Sequence, residues 1–373
     1  MNDTEDNRVS AGATPGGPVG DDRTSARGTG GAGPVRIAVT GVGLALPGAD
    51  GPAGLLGTGP AGPEPYDTGA VIGRRGHRYK DRATQLALCA AVHGLRDARL
   101  IGAADEELAV PGHTVGVVAS SNLGNLDTVC RVAAEITEQG ADRISPMSTP
   151  NASSNVVASS VALRFGLRGP NLMLCNGPTS GVDAVHFGAG LIAAGRAGQV
   201  LVIGTESRND IVGGLLGTDP AELLDGAVAL VLETTAGARR RGVTPVAVLG
   251  RYERRAGLGR CVETLLSGTD DRAAPGVWFT PERYRDPAGP DTTGPDTAGT
   301  DPGAPHPVPV DPAVPRHDLT RAFGLASGAL GVLQCAAATG WIAAGGTGRA
   351  LVTCGDDTTD GVAGILVEPY GAP

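Results

Sequence analysis

The chain has 373 residues, 41% of them apolar and only 3% aromatic, with a formal net charge of −9. That length holds one large or two modest domains, with cores built mainly of Ala, Val and Leu. The acidic balance argues against a nucleic-acid surface, the six scattered cysteines contain no CxxC pair, and no apolar run reaches membrane-spanning length or resembles a signal core.

Residues 1–34 are polar, rich in Gly, Asp, Thr and Ser, and are expected to form a disordered tail that cannot offset its ordering entropy. "VRIAVTGVGLALPG" (35–48) reads as a buried strand followed by a glycine loop. "KDRATQLALCAAVHGLRDARL" (80–100) has apolar residues at helical spacing. It begins at Lys80, the only lysine in the chain. Arginine codons are largely GC-rich, so this bias predicts a high-GC genome such as an actinomycete's. "HTVGVVAS" (113–120) reads as a strand and "NLDTVCRVAAEITEQG" (125–140) as a helix closed by Gly140. "TPNASSNVVASSVALRFGLRGP" (149–170) reads as a helix whose small residues permit close packing.

Then come strand, turn, helix and strand: "NLMLC" (171–175), "NGPTSG" (176–181), a helical run, and "QVLVIG" (199–204). "GAVALVLE" (226–233) and "PVAVLGRY" (245–252) are further strands. Residues 285–318 are Pro/Gly/Asp-rich and are expected to form a disordered insert. A helix is expected over 319–344, followed by strands "ALVTC" (350–354) and "AGILVEP" (363–369). This alternation predicts an α/β fold with a mostly parallel sheet.

Six segments, in order, resemble the β-ketoacyl synthase family: "RIAVTGVGLALPG", "DRATQLALCAA", "GVVASSNLGNLDT", "ISPMSTPNASSNVVASSVALRFGLRGPN", "TSGVDAVHFGAGLIAAGRAGQVLVIGTES" and "LLDGAVALVLE". The resemblance covers about 35–255 well and 319–368 loosely, and is nearest to synthases of fatty-acid and type II polyketide systems. It implies a thiolase-like five-layered αβαβα fold of two pseudo-equivalent halves. These would be 35–235 and a shortened 236–373 carrying the insert at 285–318.

The resemblance also implies where catalytic groups should stand. The family keeps a cysteine in the turn before its nucleophile helix, where a helix N-terminus lowers the thiol pKa. In this chain Pro178 holds that place. Proline supplies neither a nucleophile nor an N–H, yet it suits a first helical turn, whose N–H groups lack intrahelical partners. Of the family's two histidines, the first falls near "GVWFTPER", at Thr280, and the second at Ala322 or Phe323. The accompanying lysine falls near His317, and "CGDDTTDG" (354–361) replaces the gating loop. No family catalytic residue is therefore present.

Other nucleophiles are Cys175, which reads as a buried strand cysteine, and Thr179 and Ser180, which read as helix-capping residues. His186 reads as a packed or interface histidine, and His77, His93, His113 and His306 form no pattern with carboxylates. The Arg clusters "GRRGHR" (73–78) and "ARRRG" (238–242) read as solvated faces or as docking points for an acidic partner. "TGVGLALPG" lacks dinucleotide-loop spacing, so neither cofactor nor metal is expected.

The expected function is non-catalytic. Type II polyketide systems pair an active synthase with a homologous cysteine-lacking subunit, the chain length factor, and this chain resembles such a subunit. Its expected partners are an active ketosynthase in a heterodimer, or a second copy of itself, and an acyl carrier protein. Pairing would run through "PNLMLC" and parts of "STPNASSNVVASSVALRFG", in the cytoplasm, without membrane or nucleic acid. Two departures stand out: chain length factors commonly carry Gln where Pro178 stands, and they keep more of the C-terminal half. The alternative is a 3-oxoacyl-carrier-protein synthase or other acyltransferase using Cys175, Thr179 or Ser180.

Overall fold

The computed structural model describes residues 35–57, 64–77, 79–147, 149–267, 274–284, 307–358 and 361–371. The expected tail and residues 285–306 of the expected insert lie outside these. Residues 307–318 do not behave as insert. Val310 and Val314 are buried among Leu258, Val262 and Leu351, and Arg316–His317 pairs as a strand. The prolines masked this anchoring, which comes from valines spaced between them.

Among the described residues ten strands form one sheet. The first five are β1 (Ile37–Ala45), β2 (Val115–Ser120), β3 (Asn171–Leu174), β4 (Gln199–Glu206) and β5 (Gly226–Thr234). The second five are β6 (Ala247–Arg255), β7 (Val277–Phe279), β8 (Arg316–His317), β9 (Ala350–Cys354) and β10 (Val362–Pro369). Their order is β3-β2-β4-β5-β1-β6-β10-β9-β7-β8. Read outward from the antiparallel β1–β6 join (Ala38 opposite Val248, Val39 opposite Ala247), the two sets of five are identical in order. They also match in direction. β2 is parallel to β3 and β4, and β7 to β8 and β9, while β5 and β10 are antiparallel to both their neighbours. The sheet is therefore mixed, not mostly parallel. A continuous apolar run marks a strand buried on both faces but carries no information about its direction.

The helices are α1 (Thr68–Ile72), α2 (Arg82–Asp97), α3 (Leu126–Gln139), α4 (Val156–Phe165), α5 (Ser180–Ala193), α6 (Asp210–Leu216), α7 (Thr235–Arg240), α8 (Leu258–Ser267), α9 (Thr320–Phe323) and α10 (Leu330–Ala343). Strand alternation splits each strand between two cores. Leu201 and Ile203 of β4 pack with α2 and α4, whereas Val200 and Val202 face α5 and α10. On the second half, Leu351 and Leu366 pack with α8, and Val352 and Ile365 face the central pair. The result is the thiolase-like stack: α2 and α4, first half-sheet, α5 and α10, second half-sheet, α8. Among the described residues no helix is long and apolar enough to cross a membrane.

Glycines set the closest approaches. Those expected to form a loop after the first strand instead lie inside β1. A Cβ on Gly43 would sit 2.1 Å from Ala90 O and 2.2 Å from Gly94 N, so α2 could not pack there against any larger residue. At the centre, a Cβ on Gly331 would sit 2.2 Å from Val182 N, and one on Gly181 2.6 Å from Gly331 N. The two central helices thus cross backbone to backbone.

Two expected helices are shorter than their sequence patterns. Within 149–170 only α4 is α-helical, preceded by a 3-10 turn over Thr149–Ala152. Asn125 Nδ2 donates to Asn151 O and Ser153 O, and Asn151 to Tyr79 O, which holds that stretch in a tertiary network. Within 319–344, Gly324 ends α9 at φ 88° and a 3-10 turn over Ser327–Ala329 precedes α10.

Candidate active-site remnant

The two central helices begin in equivalent turns. α5 follows the 3-10 turn Gly177–Thr179 and α10 follows Ser327–Ala329. The first residue of each turn has positive φ, 80° at Gly177 and 42° at Ser327. Asn122, just after β2, ties them together, its Nδ2 donating to Gly177 O and to Ser327 Oγ, both at 2.9 Å.

Pro178 occupies the first turn with its ring on the wall of a cavity of about 240 Å³, shared with Leu123, Glu206, Leu223, Glu282 and Leu325. The hydroxyls that follow are buried and engaged. Thr179 Oγ1 donates to Asp183 Oδ2 at 2.8 Å. Ser180 Oγ accepts from Asn176 N–H at 2.9 Å and lies 2.7 Å from Gly177 O and 2.9 Å from Asn122 Oδ1. Asp183 also accepts from Tyr252 OH at 2.7 Å and from Asn176 Nδ2. His186 is exposed and stacks on Tyr252 with ring centroids 3.8 Å apart. Partial burial lowers its pKa, against the opposing effect of Asp183.

Cys175 is not the buried strand cysteine its neighbours predict. Its thiol is exposed just beyond β3, because β3 is an edge strand with one side uncovered. Its Sγ lies 3.8 Å from Asn122 O. Partial desolvation and the nearby Glu206 carboxylate push the thiol pKa up, away from thiolate.

The structure separates Pro178 from the other two expected catalytic positions. Thr280 and Ala322 border a neighbouring cleft together with His317, not the Pro178 cavity. Thr280 is buried, its N–H donating to His317 O at 3.0 Å and its carbonyl accepting from Gln334 Nε2 at 2.6 Å. Phe323 likewise borders a different cleft, whereas Leu325, two residues on, reaches the Pro178 cavity. Gly355 and Asp356, from the stretch expected to replace the gating loop, also line it.

Two carboxylates at this cavity were missed from sequence. Glu206, at the end of β4, is fully buried. It accepts from Asn122 N–H (2.7 Å), Leu123 N–H (3.1 Å), Ser121 Oγ (3.0 Å) and Gly328 N–H (3.1 Å). Desolvation outweighs these bonds and raises its pKa to about 7. Glu282, after β7, accepts from Ala326 N–H (2.7 Å) and Ser327 N–H (3.2 Å), and burial raises its pKa too. A carboxylate closing the apolar run "QVLVIGTE" was a readable signal for Glu206, whereas nothing local marked Glu282.

The remaining candidates are structural. His77 contacts Arg164, which makes a two-pronged pair with Glu106. His93 lies 3.0 Å from Tyr66 OH, and His306 lies outside the described residues. The second Arg cluster is not wholly a solvated face, because the half-buried Arg241 pairs with the buried Glu233 carboxylate. Among the described residues no group of three His, Cys, Asp or Glu could hold a metal ion.

Residues 68–216 match the β-ketoacyl synthase N-terminal domain. The chain is 28% identical over 148 residues to the 3-oxoacyl-[acyl-carrier-protein] synthase 2 of Vibrio harveyi, covering 40% of this chain and 34% of that one. The match thus spans about a third of that relative's length. The ishigamide ketosynthase/chain length factor superposes with a TM-score of 0.66 at 25% identity, covering 90% of this chain and 100% of that one. Over residues 68–216 the chain is ketosynthase-like in sequence.

A second solved ketosynthase, from a type II polyketide system and in complex with its acyl-carrier protein, shares the fold. Its TM-score is 0.67 at 16% identity, covering 90% of this chain and 99% of that one. The ketosynthase sequence match ends within the first half, at α6. The second half is carried by structure alone, in the repeat of strand order and in the paired turns.

Proposed function

We propose that this ketosynthase-like chain is a catalytically degenerate subunit that pairs with an active ketosynthase and supports polyketide or fatty-acid chain elongation on an acyl carrier protein. The observation that carries the reading is Pro178, which stands in the turn before α5 and lines the cavity, where the resemblance expects the nucleophile. It removes the thiol and the backbone N–H together. Loss of one oxyanion donor alone costs roughly a hundred- to a thousandfold in rate. In this reading Thr280 takes the first histidine's place. Leu325, which follows Gly324 directly before the α10 turn and reaches the cavity, takes the second's in preference to Ala322 or Phe323.

Pairing is supported by uncovered apolar side chains around the β3 edge: Leu163 of α4 (84% exposed), Phe187 of α5 (52%) and Leu172 of β3 (37%). Exposed apolar side chains on elements at a sheet edge mark a candidate protein interface. Among neighbours in fold, one is described as a ketosynthase/chain length factor. The setting proposed is the cytoplasm.

The test is co-expression with a cysteine-bearing ketosynthase from the same gene neighbourhood, followed by co-purification and mass spectrometry after incubation with acyl-carrier protein. A stable mixed complex with no acyl adduct on this chain is expected. An adduct on Cys175, Thr179 or Ser180, lost on its substitution, would replace this reading with the acyltransferase alternative. The engaged hydroxyls and the raised Cys175 pKa speak against that outcome.

A further inference from the structure

The Pro178 cavity has a second polar wall, and this one is filled from within. Three successive backbone N–H groups, of Ala326, Ser327 and Gly328, donate to carboxylate oxygens. The turn can present them because Ser327 adopts φ 42°, a region that a residue with a Cβ enters at a cost. Its Oγ is held there by Asn122 Nδ2. Successive N–H groups in such turns form anion-binding concavities.

The two carboxylates differ in how they are held. Glu206 is bound by four donors from two segments, and only Gly328 belongs to this turn. Glu282 reaches in from the loop after β7. Its hydrogen bonds are the two from Ala326 and Ser327 N–H, both to Oε1. It lines the cavity beside Ser327 and Leu325. Its carboxylate therefore sits in the turn as a bound ion would, on a side chain that no other described residue hydrogen-bonds.

We infer that the Ala326–Ser327 N–H pair is a binding site for a small monocarboxylate, occupied by the Glu282 side chain as an internal ligand that closes this wall of the cavity to an external one. The inference goes beyond the pairing role proposed above and does not depend on it.

Truncation separates this from ordinary packing. Glu282→Ala removes the carboxylate with the two carbons that carry it, which leaves room for formate or acetate. The full-length variant is expected to lose stability and to recover it saturably with acetate but not with chloride at equal ionic strength. At acetate three times its Kd the expected rise in Tm is about 1 °C. Wild type and Glu282→Gln, whose amide oxygen still accepts from the pair, should show no acetate-specific rise. Equal responses of Glu282→Ala to acetate and chloride would overturn the inference, as would an equal acetate response in wild type. Should Glu282→Ala fold poorly without anion, its refolding yield in acetate against chloride decides the question, and equal yields overturn the inference. A chain that pairs with a ketosynthase yet shows no carboxylate rescue sinks this inference alone. Rescue without pairing sinks only the functional reading.

Discussion

Pro178 and Glu206 face the same cavity with opposite consequences for the fold. Pro178 is at ease at a helix start, so Pro178→Ala should change stability by less than about 1 kcal/mol in chemical denaturation. Pro178→Cys restores a thiol and an N–H at a turn that lowers thiol pKa. It should gain rapid alkylation by iodoacetamide but no condensation activity with acyl- and malonyl-carrier protein, because Thr280 and Leu325 supply no imidazole. Measurable condensation by that single variant would contradict the proposed loss of both histidines. Glu206 sets a pH dependence. Its folded pKa, about 7, is raised from the ordinary 4.5. The folded state therefore prefers the protonated acid, and this contribution is complete below about pH 4.5 and is lost as pH rises through 7. Denaturation of wild type across pH 4.5–7 should show this decline, up to roughly 3 kcal/mol. Glu206→Gln should flatten it.

At the scale of elements, most strands and the helices α2, α3 and α5 were legible because apolar spacing is a local property. The glycines of β1 were read as a loop because glycine is permissive everywhere. Only the approach of α2 shows that Gly41 and Gly43 are required by packing. Gly43→Ala is expected to cost more than about 2 kcal/mol, since its Cβ would overlap the Ala90 carbonyl and overpacking against backbone cannot relax cheaply. Urea denaturation measures it, and a neutral result would mean that α2 is free to shift. The helices expected over 149–170 and 319–344 were overextended for a related reason. Apolar and small residues continue through both stretches, but side-chain bonds to distant backbone in one, and Gly324 in the other, stop the helix. Cys175 was misplaced because burial of an edge strand depends on what covers it, which lies outside the chain's own local pattern.

For the whole molecule, the repeat of strand order around the β1–β6 join gives the second half the same sheet as the first. Each half buries one face on the shared α5–α10 layer, so the centre is complete even where outer connections are trimmed. The same layout leaves β3 at one edge of the sheet. If that edge is the pairing surface, Leu163→Asp combined with Leu172→Asp should abolish co-purification with a ketosynthase while shifting the Tm of the isolated chain by only a few degrees, since both side chains are exposed. Retained co-purification would move the interface elsewhere.

By itself the sequence determined the fold class, the family resemblance and the proline in the turn that opens α5, because these rest on periodicity and on motifs in chain order. Only the tertiary structure decided which residues share the cavity. It set Thr280 and Ala322 apart from Pro178, brought Leu325 and Glu282 to it, and buried Glu206 beneath both turns. The physical reason is that the cavity lies between two halves whose turns are about 150 residues apart, Gly177 to Ser327. Their meeting depends on backbone contact between Gly181 and Gly331, which no local pattern encodes.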